Sequence, residues 1–380
     1  MNFQLTEEQL AVQAAAREFA KNELLPGVIE RDEHQKFPAE QVKKLGELGF
    51  MGMMVDPKYG GSGMDTVSYV LAMEEISKVD ASTSVCMSVN NSLVCWGLET
   101  YGNEEQKQTY LTEMASGQKI GAFLLSEPEA GSDATSQRTT AEDMGDYYLL
   151  NGTKNWITNG STASYYLVIA QTYPDKKHKG INALIVHKDW PGVTVGAKEN
   201  KLGIRGSDTH SIMFQDVKVP KANRIGDDGF GFTFAMKVLA GGRIGIAAQA
   251  LGIASGAYEL ALKYSKERKA FGTEISNHQS IAFKLADMAT AIEGARLMVI
   301  KSAWTKDQGK DYTLSASMAK LYASEIAQWV TNEAVQIHGG YGYVKEFHVE
   351  RLMRDAKITQ IYEGTSEVQK IVISRTVLKD

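Results

Sequence analysis

The sequence predicts an α+β protein of three successive units: an N-terminal helical domain over residues 1–118, a middle β-barrel or sandwich domain over 119–227, and a C-terminal four-helix bundle over 228–380. Three observations predict it. Apolar residues keep a helical period at both ends of the chain. Near Lys119 that period gives way to short apolar runs broken by turn residues. No helical segment interrupts the central stretch, which excludes a doubly wound parallel sheet. A chain of 380 residues is also too long for one ordinary core.

In the first unit, Thr6 and Gln9 form a capping box that opens a helix through AVQAAAREFAKNELL to Pro26-Gly27. PAEQVKKLGELG, TVSYVLAMEEISKVD and NEEQKQTYLTEMASG repeat the helical period, and GGSG at Gly60–Gly63 reads as a loop between them. In the second unit, IGAFLLS has strand length, and Asn151-Gly152 within YYLLNGTKNWIT marks a hairpin turn between two arms. SYYLVIAQT, INALIVHKD, GVTVGA and SIMFQDVKV complete the β set. From Gly229 onward, GFTFAMKVLAGGRIGIAAQALGIASGAYELALKYSKER, SIAFKLADMATAIEGARLMVIKSAWTKD, LSASMAKLYASEIAQWVTNEAVQIHG and EVQKIVISRTVL give four helices, suited to an antiparallel bundle. Within the first of these, Ile244–Leu262 carries Gly252 and Gly256 in GxxxG spacing. Gln249 and Glu259 interrupt its apolar run, which points to a tightly packed bundle helix rather than a membrane span.

Composition narrows the function. With 43% hydrophobic and 23% charged residues the chain has a globular composition, and a net charge of −5 argues against a polyanion-binding surface. The two cysteines, Cys86 and Cys95, have neither CxxC nor metal-knuckle spacing, which fits a reducing compartment. The N-terminus is polar and acidic, unlike a signal or transit peptide, so the expected location is cytoplasmic, with no membrane insertion. The seven histidines show no ligand spacing, and no metal site is expected. P-loop, HExxH and GxSxG patterns are absent, and Gly229-Phe-Gly231 starts a GxGxxG run that Phe234 breaks.

Several stretches carry candidate chemistry, each with an ordinary structural reading beside it. In LLSEPEAGSDAT, Leu124–Thr135, Gly131 permits close backbone approach to a ligand and Ser126 and Ser132 offer hydroxyls; the alternative is a plain polar loop. In NWITNG, Trp156 and Thr158 share a face and suit a flat heteroaromatic ring, or are a core indole and a strand threonine. Arg268, Phe271 and Gln279 fall at the turn between the first two bundle helices, and Gln336–Gly340 ends the third. They suit a diphosphate or a purine edge, or are a solvated turn and a glycine C-cap.

The stretch QIYEGTSEVQ, Gln360–Gln369, sets one acid, Glu363, between Tyr362 and the bare backbone of Gly364. Ser366 and Gln369 read as a capping box, which starts the last helix near Ser366 and puts Glu363 just ahead of it. The helix dipole lowers the pKa of such an acid, while shielding by Ile361 and Tyr362 raises it. Gly364 leaves room for a ligand. The carboxylate is then either a base able to take a proton from carbon or a solvated acid before a cap.

Taken together, the α–β–α order and the motifs LSEPEAGSD, WITNG, RKAFG, QIHGGYGY and RDAKITQIYEGTSEVQ, with their spacing, resemble the acyl-CoA dehydrogenase family. The resemblance runs from Leu5 to Leu378 and is nearest the short-chain, butyryl-CoA type. It implies FAD, bound noncovalently between the β unit and the bundle, in a homotetramer built as a dimer of dimers. It implies that Phe123, Leu124, Leu125, Ser126 and the loop through Gly131 and Ser132 line the flavin and its chain. Trp156 would pack on the ring, and Ile157 and Thr158 would follow, with Thr158 bonded near the hydride-accepting nitrogen. Arg268, Phe271, Gln279, Gln336, Ile337, Gly339 and Gly340 match positions that reach the adenosine diphosphate portion, largely from a neighbouring subunit, and Thr365, Ser366 and Glu367 continue those contacts.

The same resemblance implies that Glu363 is the catalytic base, removing the pro-R α-proton of a thioester while the β-carbon delivers hydride to the flavin. The Glu363 amide and a ribityl hydroxyl would hold the thioester carbonyl. Displacement of water by substrate would raise the carboxylate toward about 6–7. Some branched- and long-chain relatives carry the base on the first bundle helix; the matching position here is Gly242, which cannot serve. Arg243 matches a substrate-side arginine, whereas Ala240 stands where many short-chain relatives carry an acid. With Ser132 and Gly364 these residues form the expected acyl-CoA side. The expected reaction converts a short straight-chain acyl-CoA to its trans-2-enoyl product, with an electron-transfer flavoprotein as partner. Branched or longer substrates, an oxidase or a reductase fit the same frame. A nucleic-acid-associated relative would need a basic surface and a C-terminal extension, unlike this acidic chain ending at Asp380, so no nucleic-acid partner is expected.

Overall fold

Helix Glu7–Phe19 begins as its capping box requires: Gln9 N donates to Thr6 Oγ1 at 3.2 Å and Thr6 N to Gln9 Oε1 at 3.0 Å. The computed structural model describes residues 4–379, so the outermost expected limits, 1 and 380, lie outside the described residues. The helix runs on through a wider turn at Ala20–Leu24 and is stopped by Gly27 at φ +74°. Helices Ala39–Glu47 and Thr66–Val79 follow where the periodicity places them. Between Ala81 and Tyr101 the sequence analysis marked no element, yet the chain is helical almost throughout, with a wide-turn segment at Val89–Cys95. That run is buried on all sides, so it has no polar stripe to reveal a period.

A sheet of seven strands fills the middle of the chain. Its path runs Gly121–Leu124, Tyr165–Gln171, Thr140–Asp143, Tyr147–Thr158, Thr209–Pro220, Val193–Lys198, and Ile181–His187 pairs with Tyr165–Gln171 off that path. Tyr165–Gln171 is buried on both faces: Tyr165, Leu167 and Ile169 join the helical core, while Tyr166, Val168 and Ala170 join the β core. This explains the unbroken apolar runs YYLVIA and INALIV, because neither face needs a polar residue.

The hairpin expected at Asn151-Gly152 is absent. Tyr147–Thr158 is one continuous strand along Thr209–Pro220, and its register slips between Leu150 and Gly152. Gly152 sits at φ +139°. Asn151 exchanges two hydrogen bonds with Asp216, Nδ2 to Oδ1 at 3.1 Å and Asp216 N to Oδ1 at 2.8 Å. The dipeptide therefore makes a bulge rather than a turn.

Helices Gly231–Glu267, Gln279–Asp307 and Thr313–His338 form the long part of the C-terminal bundle, and Ser366–Val377 closes the chain. A further helix not marked in the sequence, His348–Ile358, lies between them. Gly231–Glu267 is long and apolar enough to cross a membrane, but 94% of its most apolar window is buried inside the protein. Its GxxxG pair has a packing cause: a Cβ at Gly252 would overlap Glu74 O, and one at Gly256 would overlap Lys78 O, so the two backbones touch.

Candidate active site

After helix His348–Ile358 the chain turns through Tyr362 into Glu363 at φ +51° and Gly364 at φ +91°. A non-glycine residue in the left-handed region is strained and persists only where its surroundings hold it. The cap of the last helix is Thr365, whose hydroxyl accepts from Val368 N at 3.3 Å. The expected Ser366–Gln369 box does not form, because Gln369 turns back and donates from Nε2 to Gly364 O at 2.8 Å. Lys320 Nζ donates to the same carbonyl at 2.6 Å.

The Glu363 carboxylate stands over helix Gly231–Glu267. A Cβ at Gly242 would overlap Glu363 Oε2 and come within 2.6 Å of Leu93 Cδ2. Positions 242 and 363 thus address one space, and only one of them can carry an acid. Oε2 is buried with no hydrogen-bond partner, and burial pushes this carboxyl up to about 7 although Lys320 and Arg243 pull it down. Burial therefore outweighs the two nearby cations. The Glu363 N–H makes no hydrogen bond among the described residues.

Around the acid, Arg243 Nη1 donates to Ser317 Oγ at 3.2 Å and its Nε is buried and unpartnered. The Tyr362 phenol donates to Gln249 Oε1, whose amide donates to Ala81 O at 2.9 Å and Ser84 Oγ at 3.0 Å. Tyr69 donates to Ser88 Oγ at 3.1 Å. Ala240 is buried and brings no polar atom.

A second group of expected residues gathers on the sheet. Leu124 and Leu125 are buried, and Phe123 and Ser126 are half-buried beside them. Asn155 N donates to Ser126 O at 2.8 Å, tying that loop to the strand one residue before Trp156. The register slips again between Lys154 and Ile157, and Trp156 at φ +62° is turned outward with 60% of its surface exposed. Ile157 is buried and Thr158 half-buried. Beneath the loop, the fully buried Lys154 ammonium donates to Leu125 O at 2.9 Å, Glu127 Oε1 at 2.8 Å and Gln137 Oε1 at 3.1 Å. Glu127 also accepts from Arg138 N at 2.6 Å and Thr139 N at 3.0 Å. Gly131 and Ser132 stay exposed at the tip.

The third group lies at the far end of the long helices. Arg268, Ile337, Gly339 and Gly340, with Tyr264, His338 and Tyr341, line an open cleft of about 520 Å³. The Arg268 guanidinium lies 5.6 Å from the Tyr341 ring centroid, and His338 stacks on Tyr264 at 4.3 Å. Phe271 is 98% exposed on a two-residue turn with Gly272, both at positive φ, outside that lining. Gln279 and Gln336 are also exposed outside it. In the last helix the Ser366 hydroxyl is buried without a partner and Glu367 faces solvent.

Lys320, Lys154 and Glu127 escaped the sequence analysis. The available signal for Lys320 was a lysine one turn from Ala316 and Ala323, on the small-residue face of its helix.

Profiles for the acyl-CoA dehydrogenase N-terminal, middle and C-terminal domains match residues 6–118, 122–217 and 229–378 in turn. The chain belongs to the acyl-CoA dehydrogenase family. It is 51% identical over 379 residues to the short-chain specific acyl-CoA dehydrogenase of Clostridium acetobutylicum, covering 100% of both chains. It is 49% identical over 376 residues to the human mitochondrial short-chain specific acyl-CoA dehydrogenase, covering 99% of this chain and 91% of that one. Among solved structures, butyryl-CoA dehydrogenase from Megasphaera elsdenii superimposes with a TM-score of 0.98 at 48% identity over the full length of both. A chain from work on the electron transferring flavoprotein of Acidaminococcus fermentans superimposes with a TM-score of 0.99 at 50% identity, again over both full lengths.

The protein is therefore an FAD-dependent oxidoreductase acting in acyl-CoA dehydrogenation. Its residues fit that cofactor. An outward indole on a bulge suits a flat ring, a buried unpartnered Ser366 hydroxyl awaits an acceptor, and Arg268 beside open glycines suits a diphosphate.

Proposed function

We propose that the protein oxidises short straight-chain acyl-CoA thioesters of the butyryl type to trans-2-enoyl-CoA, with Glu363 as the base. The observation that carries this reading is the Glu363 carboxylate: its Oε2 is buried and unbonded, its pKa is raised to about 7, and it faces the gap over Gly242. A general base works best with a pKa near the working pH, and burial holds this one near 7. The short-chain assignment is supported by the likeness to enzymes described as short-chain specific and as butyryl-CoA dehydrogenase.

Bound FAD supplies the two-electron acceptor for the hydride that leaves the β-carbon. The chain's own residues do the rest. Glu363 takes the α-proton onto its carboxylate, and its unpartnered N–H donates to the thioester carbonyl as charge grows there. Arg243, Ala240, Gly242, Gly364 and Ser132 border the thioester and its tail. Phe123–Ser126, Gly131, Ser132 and Trp156–Thr158 hold the ring and its chain. Arg268, Phe271, Gln279, Gln336, Ile337, Gly339, Gly340 and Thr365–Glu367 hold the diphosphate and adenosine, partly from a second copy in a homotetramer. The nearly bare Phe271 ring supports that assembly, since an apolar side chain so exposed gains most by being covered. Electrons then pass to an electron-transfer flavoprotein, a partner supported by the likeness to a chain solved in work on the electron transferring flavoprotein of Acidaminococcus fermentans.

The test is an anaerobic visible spectrum before and after butyryl-CoA, with Glu363→Gln alongside. Flavin absorbance should bleach in the wild type and persist in the variant. A yellow wild-type protein indifferent to butyryl-CoA would remove the short-chain assignment, and bleaching of the variant at the normal rate would remove Glu363 as base.

A further inference from the structure

Lys320 is fully buried on helix Thr313–His338 among Ala316, Ala319 and Ala323, all with no exposed surface. Its one hydrogen bond goes to Gly364 O, at 2.6 Å. It acts on the Glu363 carboxyl through charge, yet makes no ion pair with it among the described residues. We propose that Lys320 is the positioning residue of the base: it holds the Gly364 carbonyl so that the Glu363 side chain points into the gap over Gly242, and it sets a cation beside that carboxylate without bonding to it. The inference rests on the reading of Glu363 as the base.

Two features make this arrangement functional. The strained pair Glu363–Gly364 needs an anchor, and Gly364 O receives it from two buried donors, Lys320 Nζ and Gln369 Nε2. Gln369 alone would supply the hydrogen bond; only Lys320 also supplies charge. A direct Lys–Glu bond would tie up the oxygen that must receive the proton, whereas a cation bonded to the carbonyl of the next residue, Gly364, offsets burial and leaves Oε2 free.

The other groups facing the pair are few. Arg243 comes from helix Gly231–Glu267, Tyr69 from Thr66–Val79, Tyr362 from the same loop, and Glu367 from the last helix toward Lys320. Arg243 also lowers the acid, but Lys320 contributes more.

The experiment uses the holoenzyme with Lys320→Met and Lys320→Gln, and Lys306→Met as a control at a second lysine, half-buried beside Trp96 and also held near 8. The acid limb of kcat/KM for butyryl-CoA and the isotope effect on α-deuterated substrate are measured, with FAD content and melting temperature as checks on folding. In Lys320→Met the acid limb should move up by about one pH unit or more. The rate at pH 7 should fall several-fold through kcat, with KM little changed and the isotope effect larger. Lys320→Gln keeps a donor for Gly364 O but no charge, so its limb should also move up with a smaller loss of rate at high pH. Lys306→Met should leave the limb in place.

A limb at the wild-type position in an FAD-replete Lys320 variant overturns the proposal, and if Lys320→Met fails to fold, Lys320→Gln decides it. Glu363→Gln in parallel separates the two readings. An inactive Glu363→Gln with an unmoved limb in the Lys320 variants sinks only the role of Lys320, while a normal rate in Glu363→Gln sinks the base itself.

Discussion

Glu127 and Glu363 each stand near a buried lysine, and they end in opposite states. Glu127 bonds Lys154 Nζ directly at 2.8 Å and accepts two backbone N–H groups. Its pKa falls below the usual range because those contacts outweigh the burial. Glu363 has a lysine near it but no bond to its Oε2, and burial holds it at about 7. Both lysines are themselves lowered to about 8 by burial, so the cations are alike and the contacts differ. A buried carboxylate whose charged form is fully bonded becomes scaffold; one left short of partners keeps an affinity for protons. The first fixes the loop that leads to Ser126 and Ser132, and the second is available for chemistry.

The sharpest break in this comparison is Glu363→Gln, which should cost about a thousandfold or more in turnover with butyryl-CoA while FAD content stays intact, read by rapid mixing. Lys154→Met should do the reverse. It strands Glu127 as an unpaired buried charge and should cost about 3–5 kcal/mol of stability, seen in denaturant melts together with weaker FAD retention.

The next effect is smaller and concerns pH. The folded pKa of Glu363, about 7, lies above the ordinary carboxyl value of 4.5. The folded state therefore holds the proton more tightly, and ionising Glu363 opposes folding as pH rises from about 4.5 through 7. Glu363→Gln should thus melt above the wild type at pH 8, by up to about 3 kcal/mol, with the gap closing toward pH 5. A gap that is constant with pH would mean the carboxylate is well solvated. The smallest expected change is at Arg17, which is 60% exposed although its partner Glu75 is buried. Lys78 also pairs with Glu75, so Arg17→Gln should cost no more than about 1 kcal/mol in the same melts.

Much of this architecture is legible in the chain because local rules and tertiary packing agree. The Thr6–Gln9 box, the change of period at Lys119 and the small-residue face of the first bundle helix each have one physical meaning, and the structure gives it to them. The failures are equally specific. Asn151-Gly152 has turn chemistry, but pairing with Asp216 on the neighbouring strand turns it into a bulge. Val89–Cys95 is too deeply buried to show a period. Ser366–Gln369 has the letters of a capping box, but Gln369 is recruited to hold Gly364 instead. Of the candidate site, Glu363 and Trp156 are residues that motifs point to. Lys320 is not, because its meaning lies in a contact with a residue 44 positions away.

The most direct single measurement is the rate of anaerobic flavin bleaching by butyryl-CoA between pH 5 and pH 9, in the wild type and in Glu363→Gln. The wild-type rate should rise through a midpoint near 7, where burial holds the carboxyl, and the variant should show a slow, pH-independent rate. A variant that keeps the same midpoint and the same rate would contradict the account, because the proton would then be going to some other group.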